Sequence, residues 1–280
     1  MTYYYRFYII RCLTNMHVGT GEASFGIVDR HVQKDAITEL PTIHASSLKG
    51  AVREHCSQNG MDQETIDSIF GSSESPGQFR FFDAHLLARP MRSLKRPYYY
   101  VVSPQTIYQW NETSGRIHFK RQFKISQFPM TNECWTDEKL EDEIEGIPVK
   151  QKSESYFGDI KSLLKEIGIN DNQCNVAIMD DTSYKDVGLP VIARNRLENG
   201  ESKNLWYEEI VPRESIFYTI IGYPEQLSET MDQLQNYLCH LNENREQISM
   251  VHIGSNATVG FGYTMFKEIF DSKAIGAKNQ

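Results

Sequence analysis

The chain has 280 residues, 40% of them apolar and 11% aromatic, with five cysteines and a formal charge of −8. That is ample for a packed core. No run of about 18 apolar residues occurs, and the opening MTYYYRFYIIRCL lacks the basic, apolar, small-residue order of a secretory leader, so a cytoplasmic protein without a membrane partner is expected. Cys12, Cys56, Cys134, Cys174 and Cys239 are odd in number and scattered, with no CxxC or Cys/His spacing. This argues against a disulfide framework and a structural zinc site and predicts reduced thiols.

The acidic total argues against a polyanion partner until the chain is divided. Residues 1–130 hold 15 Lys plus Arg against 11 Asp plus Glu, a balance of +4, whereas residues 131–280 hold 14 against 26, a balance of −12. The densest basic run is Arg89, Arg92, Lys95 and Arg96; the densest acidic one is DEKLEDEIE at 137–145, which reads as a solvated face. For a protein that grips a nucleic-acid backbone, the local patch matters more than the total.

In chain order, residues 3–13 (YYYRFYIIRCL) have the aromatic and β-branched content of a strand, broken by Asn15, Gly19 and Gly21. Ser46 and Ser47 are candidate caps of a helix reaching about Gln58, with Leu48, Ala51 and Val52 on its apolar face and Lys49 and Arg53 sharing another. A short helix is expected over 62–70, and strands over 79–87 and 98–103. Regular alternation is then lost from about 110 to 173, apart from one helix at 153–167, and this stretch reads as a large insertion. An apolar run at 175–179 precedes two strand-like segments, 189–197 and 203–211, around ENGES, where Asn-Gly signals a hairpin. A strand at 215–222, an amphipathic helix at 225–244, and strands at 249–253 and 263–269 complete the pattern. Strand, helix, strands, helix, strand is the order of an elaborated ferredoxin-like α+β fold.

Two loops carry candidate chemistry. In IHASSLKGAVRE, the helix N-terminus, two hydroxyls and Lys49 suit a phosphate, although spacing alone equally describes an ordinary capped helix with a surface lysine. In IGSNATVGFG, Gly254, Gly260 and Gly262 permit close backbone approach, while Ser255, Asn256 and Thr258 offer hydrogen bonds to phosphate or ribose; tight turning between strands explains the same residues. Asp29 ends the apolar FGIVD, and half of a surface ion pair with Arg30 or Lys34 is its plain alternative. His17 and His31 have the titration range for proton transfer. Tyr207, Glu208 and Glu209 read as ordinary cross-strand packing.

Taken together, HVGTGEASFGIVDRHVQKD, LPTIHASSLKGAVRE, FRFFDAHLLARPMRSLKRPYYYVVSP, RNRLENGESKNLWYEEIVP and IGSNATVGFG resemble the RAMP superfamily, and within it the repeated backbone subunits of type III-B CRISPR (Cmr) effector complexes. Residues 110–173 are poorly matched. The resemblance implies a modified ferredoxin-like, RRM-like RAMP fold as one domain over 1–280. Its core would cover about 1–103 and 174–270, with the insertion at about 110–173 and a β-hairpin thumb at about 189–211. It further implies stacking with copies of itself and the other Cmr subunits along a guide CRISPR RNA, and cleavage of a complementary single-stranded target RNA at six-nucleotide intervals.

Carried over by residue, the resemblance makes Asp29 the catalytic acid, with His17 secondary. RNA contacts fall on Ser46, Ser47, Lys49, Gly50, Arg53, Arg92, Lys95, Arg194, Arg196 and the loop residues Gly254, Ser255, Asn256, Thr258, Gly260 and Gly262. A divalent cation, Mg²⁺ or Mn²⁺, would sit at Asp29 only with RNA bound, since one carboxylate is too few for a dedicated site. Two alternatives remain open at this point: a non-catalytic RNA-binding scaffold, and a guide-processing endoribonuclease acting alone.

Overall fold

A computed structural model describes residues 2–21, 26–239 and 249–270. In chain order its elements are β1 (Tyr3–Cys12), β2 (Thr42–Ile43), α1 (Ala45–Gln58), α2 (Gln63–Phe70), β3 (Arg80–Phe81), β4 (Ala84–Met91), β5 (Tyr99–Val102) and α3 (Pro104–Arg116). There follow β6 (Cys134–Thr136), β7 (Glu143–Ile144), β8 (Ile147–Gln151), α4 (Gly158–Glu166), β9 (Val176–Met179) and α5 (Asp181–Asp186). The last elements are β10 (Val191–Glu198), β11 (Glu201–Glu209), β12 (Ile216–Pro224), α6 (Ser228–Leu238), β13 (Val251–His252) and β14 (Tyr263–Ile269). The described residues form two compact units, one within residues 1–85 and 189–268 and the other within residues 86–188 and 269–270.

The first unit holds the βαββαβ arrangement. Its strands lie in the order β13, β14, β1, β12, β3, so the last long strand neighbours the first, and the first pairs antiparallel with β12 from Tyr3↔Pro224 to Arg11↔Ile216. Alternation along β1 decides which side each residue serves. Tyr8 turns toward α6, donating its hydroxyl to Gln235 at 2.9 Å and meeting Phe266 edge-on, while Phe7 stacks on Tyr218 at 5.5 Å. Leu48, Val52 and Cys56, at i, i+4 and i+8, are the buried stripe of α1, and Met231, Leu234 and Leu238 that of α6. Each such aliphatic side chain contributes about 1.5–3 kcal/mol on burial.

Several expected elements shift for identifiable reasons. Ser46 and Ser47 do not cap α1: His44 occupies the N-cap, and two remote side chains take its leading N–H groups, Gln33 Oε1 from His44 at 2.9 Å and Asp83 Oδ1 from Ala45 at 2.6 Å. The expected strand over 79–87 divides into β3 and β4 at Phe82 and Asp83, the residue whose carboxylate is needed at α1. In α2, Asp62 is the cap and accepts from Thr65 N–H. The helix expected over 225–244 runs over 228–238, and its distal part, from 240, lies outside the described residues, as does part of the acid-bearing loop, 22–25.

The second unit contains β5 to β9 and α3 to α5, with β5–β9 and β6–β8 parallel and the β4–β5, β6–β9 and β7–β8 pairs antiparallel. The sequence reading missed α3, although Ser103 and Thr106 form a capping box with Pro104 in the first turn. The helix expected at 153–167 is α4, preceded by a 3₁₀ turn at Glu154–Tyr156. The acidic run 137–145 is not a solvated face. Asp142 accepts from Ser93 Oγ and from the N–H groups of Leu94, Lys95 and Glu143, while Glu145 holds Arg92 bidentately at 3.1 Å and Glu138 holds Arg96 at 2.8 Å. The basic loop 92–96 is thus built on the acidic run.

All five cysteines are free, and burial pushes Cys56 and Cys134 up to about 12 and Cys239 to about 11, which leaves them inert thiols. Burial also raises Glu268 on β14 against the pull of Arg6 and Gln235. A carboxyl with a raised folded pKa costs stability once ionised, so the effect is absent in acid and grows as pH rises past the unfolded value of about 4.3. Glu268→Gln is therefore expected to match the wild type near pH 4 and to exceed it toward neutrality by about 1 kcal/mol, measured by denaturant unfolding across pH.

Candidate functional site

The hairpin of β10 and β11 turns at Asn199 (φ 54°) and Gly200 (φ 83°), the left-handed pair that the right-handed twist of two strands favours. Because paired residues share a face, Val191, Ala193, Asn195, Leu205 and Tyr207 lie on one side, and Ile192, Arg194, Arg196, Trp206 and Glu208 on the other. The first side exposes Val191, Leu205 and Tyr207. On the second, Arg194 lies over the Phe261 ring at 4.4 Å and the exposed Arg196 pairs with Glu198 at 3.0 Å.

The segment Tyr207, Glu208, Glu209 holds the acid loop residue by residue, a role the cross-strand packing reading missed. Asp29 N–H donates to Tyr207 O at 3.0 Å, and Tyr207 N–H donates back to Asp29 Oδ2 at 2.7 Å. This leaves Asp29 Oδ1 without a hydrogen bond among the described residues. The surface ion pair considered for Asp29 does not form; Arg30 goes to Glu208 at 2.9 Å and Lys34 to Glu209 at 2.9 Å. Glu209 also accepts from Val32 N–H and faces His31 Nδ1 at 3.3 Å.

Glu208 is fully buried, yet every lone pair finds a donor: Arg30 and the Trp206 indole on Oε1, Arg194 and Asn256 on Oε2. Burial pushes its carboxyl up, but Trp206, Arg194 and His17 outweigh that and hold it below the ordinary range. The only signal in the sequence is two adjacent acids closing a strand, one of which must face inward.

His17 is buried, with Nδ1 at 2.7 Å from Glu209 O. A carbonyl only accepts, so Nδ1 carries a proton and donates it, while Nε2 faces Gly19. His17 O accepts in turn from Ser255 N–H at 3.0 Å, which seats the glycine loop on the β1 exit. Gly254 (φ 94°) permits this, since an added Cβ would collide with that carbonyl; Gly262 (φ 76°) likewise passes against Ile253 O, whereas Gly260 (φ 80°) faces open space. Asn256 adopts the same left-handed conformation and reaches Glu208, while Thr258 and Gly260 remain exposed. The structure thus brings together Asp29, His17, Arg194, Gly254, Ser255 and Asn256.

At α1, Ser46 and Gly50 are exposed, Ser47 Oγ accepts from Gln33 at 3.0 Å, and the N–H groups of Ser46 and Ser47 carry no bond among the described residues. Lys49 is half-buried and makes no ion pair there. Arg53 is drawn to α2, donating to Gly71 O at 2.7 Å and facing Asp67. Arg92 and Lys95 belong to the second unit, where Arg92 is held by Glu145 and Lys95 is exposed without an ion pair among the described residues.

No three His, Cys, Asp or Glu side chains come together in a metal-binding group among the described residues. Glu208 and Glu209 are committed to cations, so Asp29 alone does not fit a resident Mg²⁺ or Mn²⁺. Because Gly254 combines a left-handed backbone with a collision and Gly260 has only the former, Gly254→Ala is expected to cost about 2–3 kcal/mol and Gly260→Ala about 1 kcal/mol, read as a larger fall in Tm for the first.

Among proteins of known role, the chain is 28% identical to the CRISPR system Cmr endoribonuclease Cmr4 of Pyrococcus furiosus, over 95% of this chain and 97% of that one. Its fold matches oligomeric Cmr4 from Pyrococcus furiosus with a TM-score of 0.70 at 23% identity, covering 95% of this chain and 98% of that one. A chain of the type III-B Cmr-beta complex bound to cognate target RNA matches with a TM-score of 0.72 at 21% identity, covering 95% and 97%. With the RAMP superfamily model matching residues 9–267, on a βαββαβ core with a glycine loop seated on its first strand, the chain belongs to the RAMP superfamily.

Proposed function

We propose that the chain is a guide-RNA-binding backbone subunit of a type III-B CRISPR effector complex, stacking with copies of itself and with other Cmr subunits and cleaving complementary target RNA at six-nucleotide intervals. The observation that carries this reading is the pairing of Asp29 to the hairpin: a carboxylate with one oxygen uncommitted, tied to the base of a thumb, has a use where thumb and acid meet the same strand. The relative's role as an endoribonuclease and the resemblance of the motifs support it.

The exposed apolar face of Val191, Leu205 and Tyr207 suits a wedge that unstacks a target base. Displacing that base lets the adjacent ribose leave A-form geometry and bring its 2′-OH in line with the next phosphate. Asp29 Oδ1 then accepts the 2′-OH proton as the 2′-oxygen attacks phosphorus, and the bond to the 5′-oxygen breaks, leaving a 2′,3′-cyclic phosphate while the departing 5′-oxygen takes a proton from water. A divalent cation would enter only with RNA, sharing Asp29 with phosphate oxygens; the steps above are assigned to the chain's own groups. His17, buried and committed to Glu209 O, acts here by holding the loop. Guide RNA lies on Ser46, Ser47 and Lys49 at the open start of α1, with base pairing supplying sequence specificity.

Asp29→Asn in the assembled complex is expected to reduce target cleavage at least 100-fold while guide content and target affinity stay within about twofold; persistent cleavage would leave a non-catalytic scaffold. Lys49→Glu is expected to lower guide RNA retained through purification, measured by extraction and sequencing, with the loss steepening as salt rises. Cleavage of guide precursor by the isolated chain would instead favour the processing enzyme.

A further inference from the structure

We propose that Arg30 is a phosphate-binding residue, one that grips the target strand at the phosphate beside Asp29; this rests on the function proposed above. The charges around Glu208 are unequal. One buried carboxylate faces two guanidinium groups, Arg30 at 2.9 Å and Arg194 at 2.7 Å, and Arg194 alone balances it. Trp206 and Asn256 occupy the remaining acceptor sites, so Glu208 stays hydrogen-bonded on both oxygens without Arg30. Removing the first guanidinium would therefore leave one lone pair of Oε1 unmet but neither oxygen without a donor. The neighbouring carboxylate, Glu209, has its own cation in Lys34. Among the described residues Glu208 and Glu209 thus face three cations, Arg194, Arg30 and Lys34, one more than these two carboxylates require, while Asp29, the third acid, pairs with none of them.

That surplus charge is placed for an external anion. Arg194 is mostly covered, but the Arg30 side chain is 55% exposed. Its guanidinium rests over the Trp206 ring at 5.3 Å and uses Nη1 on Glu208, which leaves donors facing outward. A planar guanidinium held at one edge by a buried carboxylate and on one face by an indole is pre-organised to meet phosphate oxygens through its other edge. Arg30 also follows Asp29 directly, and both backbone N–H groups donate to Tyr207 O at 3.0 and 3.2 Å. The acid and the surplus cation are therefore fixed to the same hairpin residue. A cation here would offset charge developing on the phosphorane oxygens as the 2′-oxygen attacks.

The test uses the reconstituted complex with its guide and a complementary RNA, made uncleavable for binding by 2′-deoxynucleotides at the cut positions. Arg30→Ala is expected to reduce the slope of log affinity against log salt by about 0.7, the contribution of one phosphate contact on a single strand. It should also slow single-turnover cleavage about 100-fold at saturating target. Arg30→Lys should restore the salt slope but only part of the rate, because a point charge lacks the fork. Unchanged slope and rate in Arg30→Ala would overturn the assignment, as would a slower rate with an unchanged slope and lowered thermal stability. Asp29→Asn measured alongside separates the two readings: its inactivity with Arg30→Ala fully active sinks only this inference, whereas an active Asp29→Asn sinks the function beneath it.

Discussion

Glu208 is the interaction on which the site depends. A carboxylate with no exposure is costly unless every lone pair is met, and here donors converge on it from three separate stretches: Arg30 in the acid loop, Arg194 and Trp206 in the hairpin, and Asn256 in the glycine loop. None of these stretches has the apolar content to bury itself. Their mutual order follows from the need to satisfy one buried charge, which a hydrophobic contact of similar area could not specify so narrowly. The flanking residues extend the same logic, Tyr207 taking the backbone and carboxylate of Asp29 and Glu209 taking Lys34 and Val32.

The glycine loop closes the arrangement from the opposite direction. Its left-handed turns bring Ser255 onto the carbonyl of His17, whose ring in turn reaches Glu209 O. A continuous set of hydrogen bonds therefore runs from the β1 exit through His17 to the end of β11. This explains why a histidine two positions from a glycine and a loop some 240 residues later belong to one site, and why His17 serves as a buried strut under the proposed function.

Local chemistry made part of this legible. Asn-Gly located the hairpin, the aromatic and β-branched content of residues 3–13 located the first strand, and Leu48 and Val52 marked the buried face of α1. What escaped were bonds between residues remote in sequence. Ser46 and Ser47 look like caps, yet Gln33 and Asp83 supply the groups that meet the α1 terminus, and no window on the sequence shows that. Glu208 and Glu209 read as ordinary cross-strand packing because the partners that make them a hub include Arg30 and Lys34, more than 170 residues upstream, and Asn256, beyond the hairpin altogether. The basic run Arg89, Arg92, Lys95 and Arg96 and the acidic run 137–145 read as separate patches, whereas Arg92 and Arg96 pair with Glu145 and Glu138, and Asp142 holds the backbone of the basic loop.

That last pairing bears on how an acidic chain holds a polyanion. Most arginines among the described residues already have carboxylate partners, so under the proposed function each copy would offer RNA few unengaged guanidinium groups, and fewer counterions would be released per copy than the arginine content suggests. Grip then becomes a collective property: adjacent copies on one strand multiply weak contacts through effective concentration, so a full-length guide is held firmly while a short fragment escapes. Strand length becomes something the assembly can sense without any single subunit measuring it.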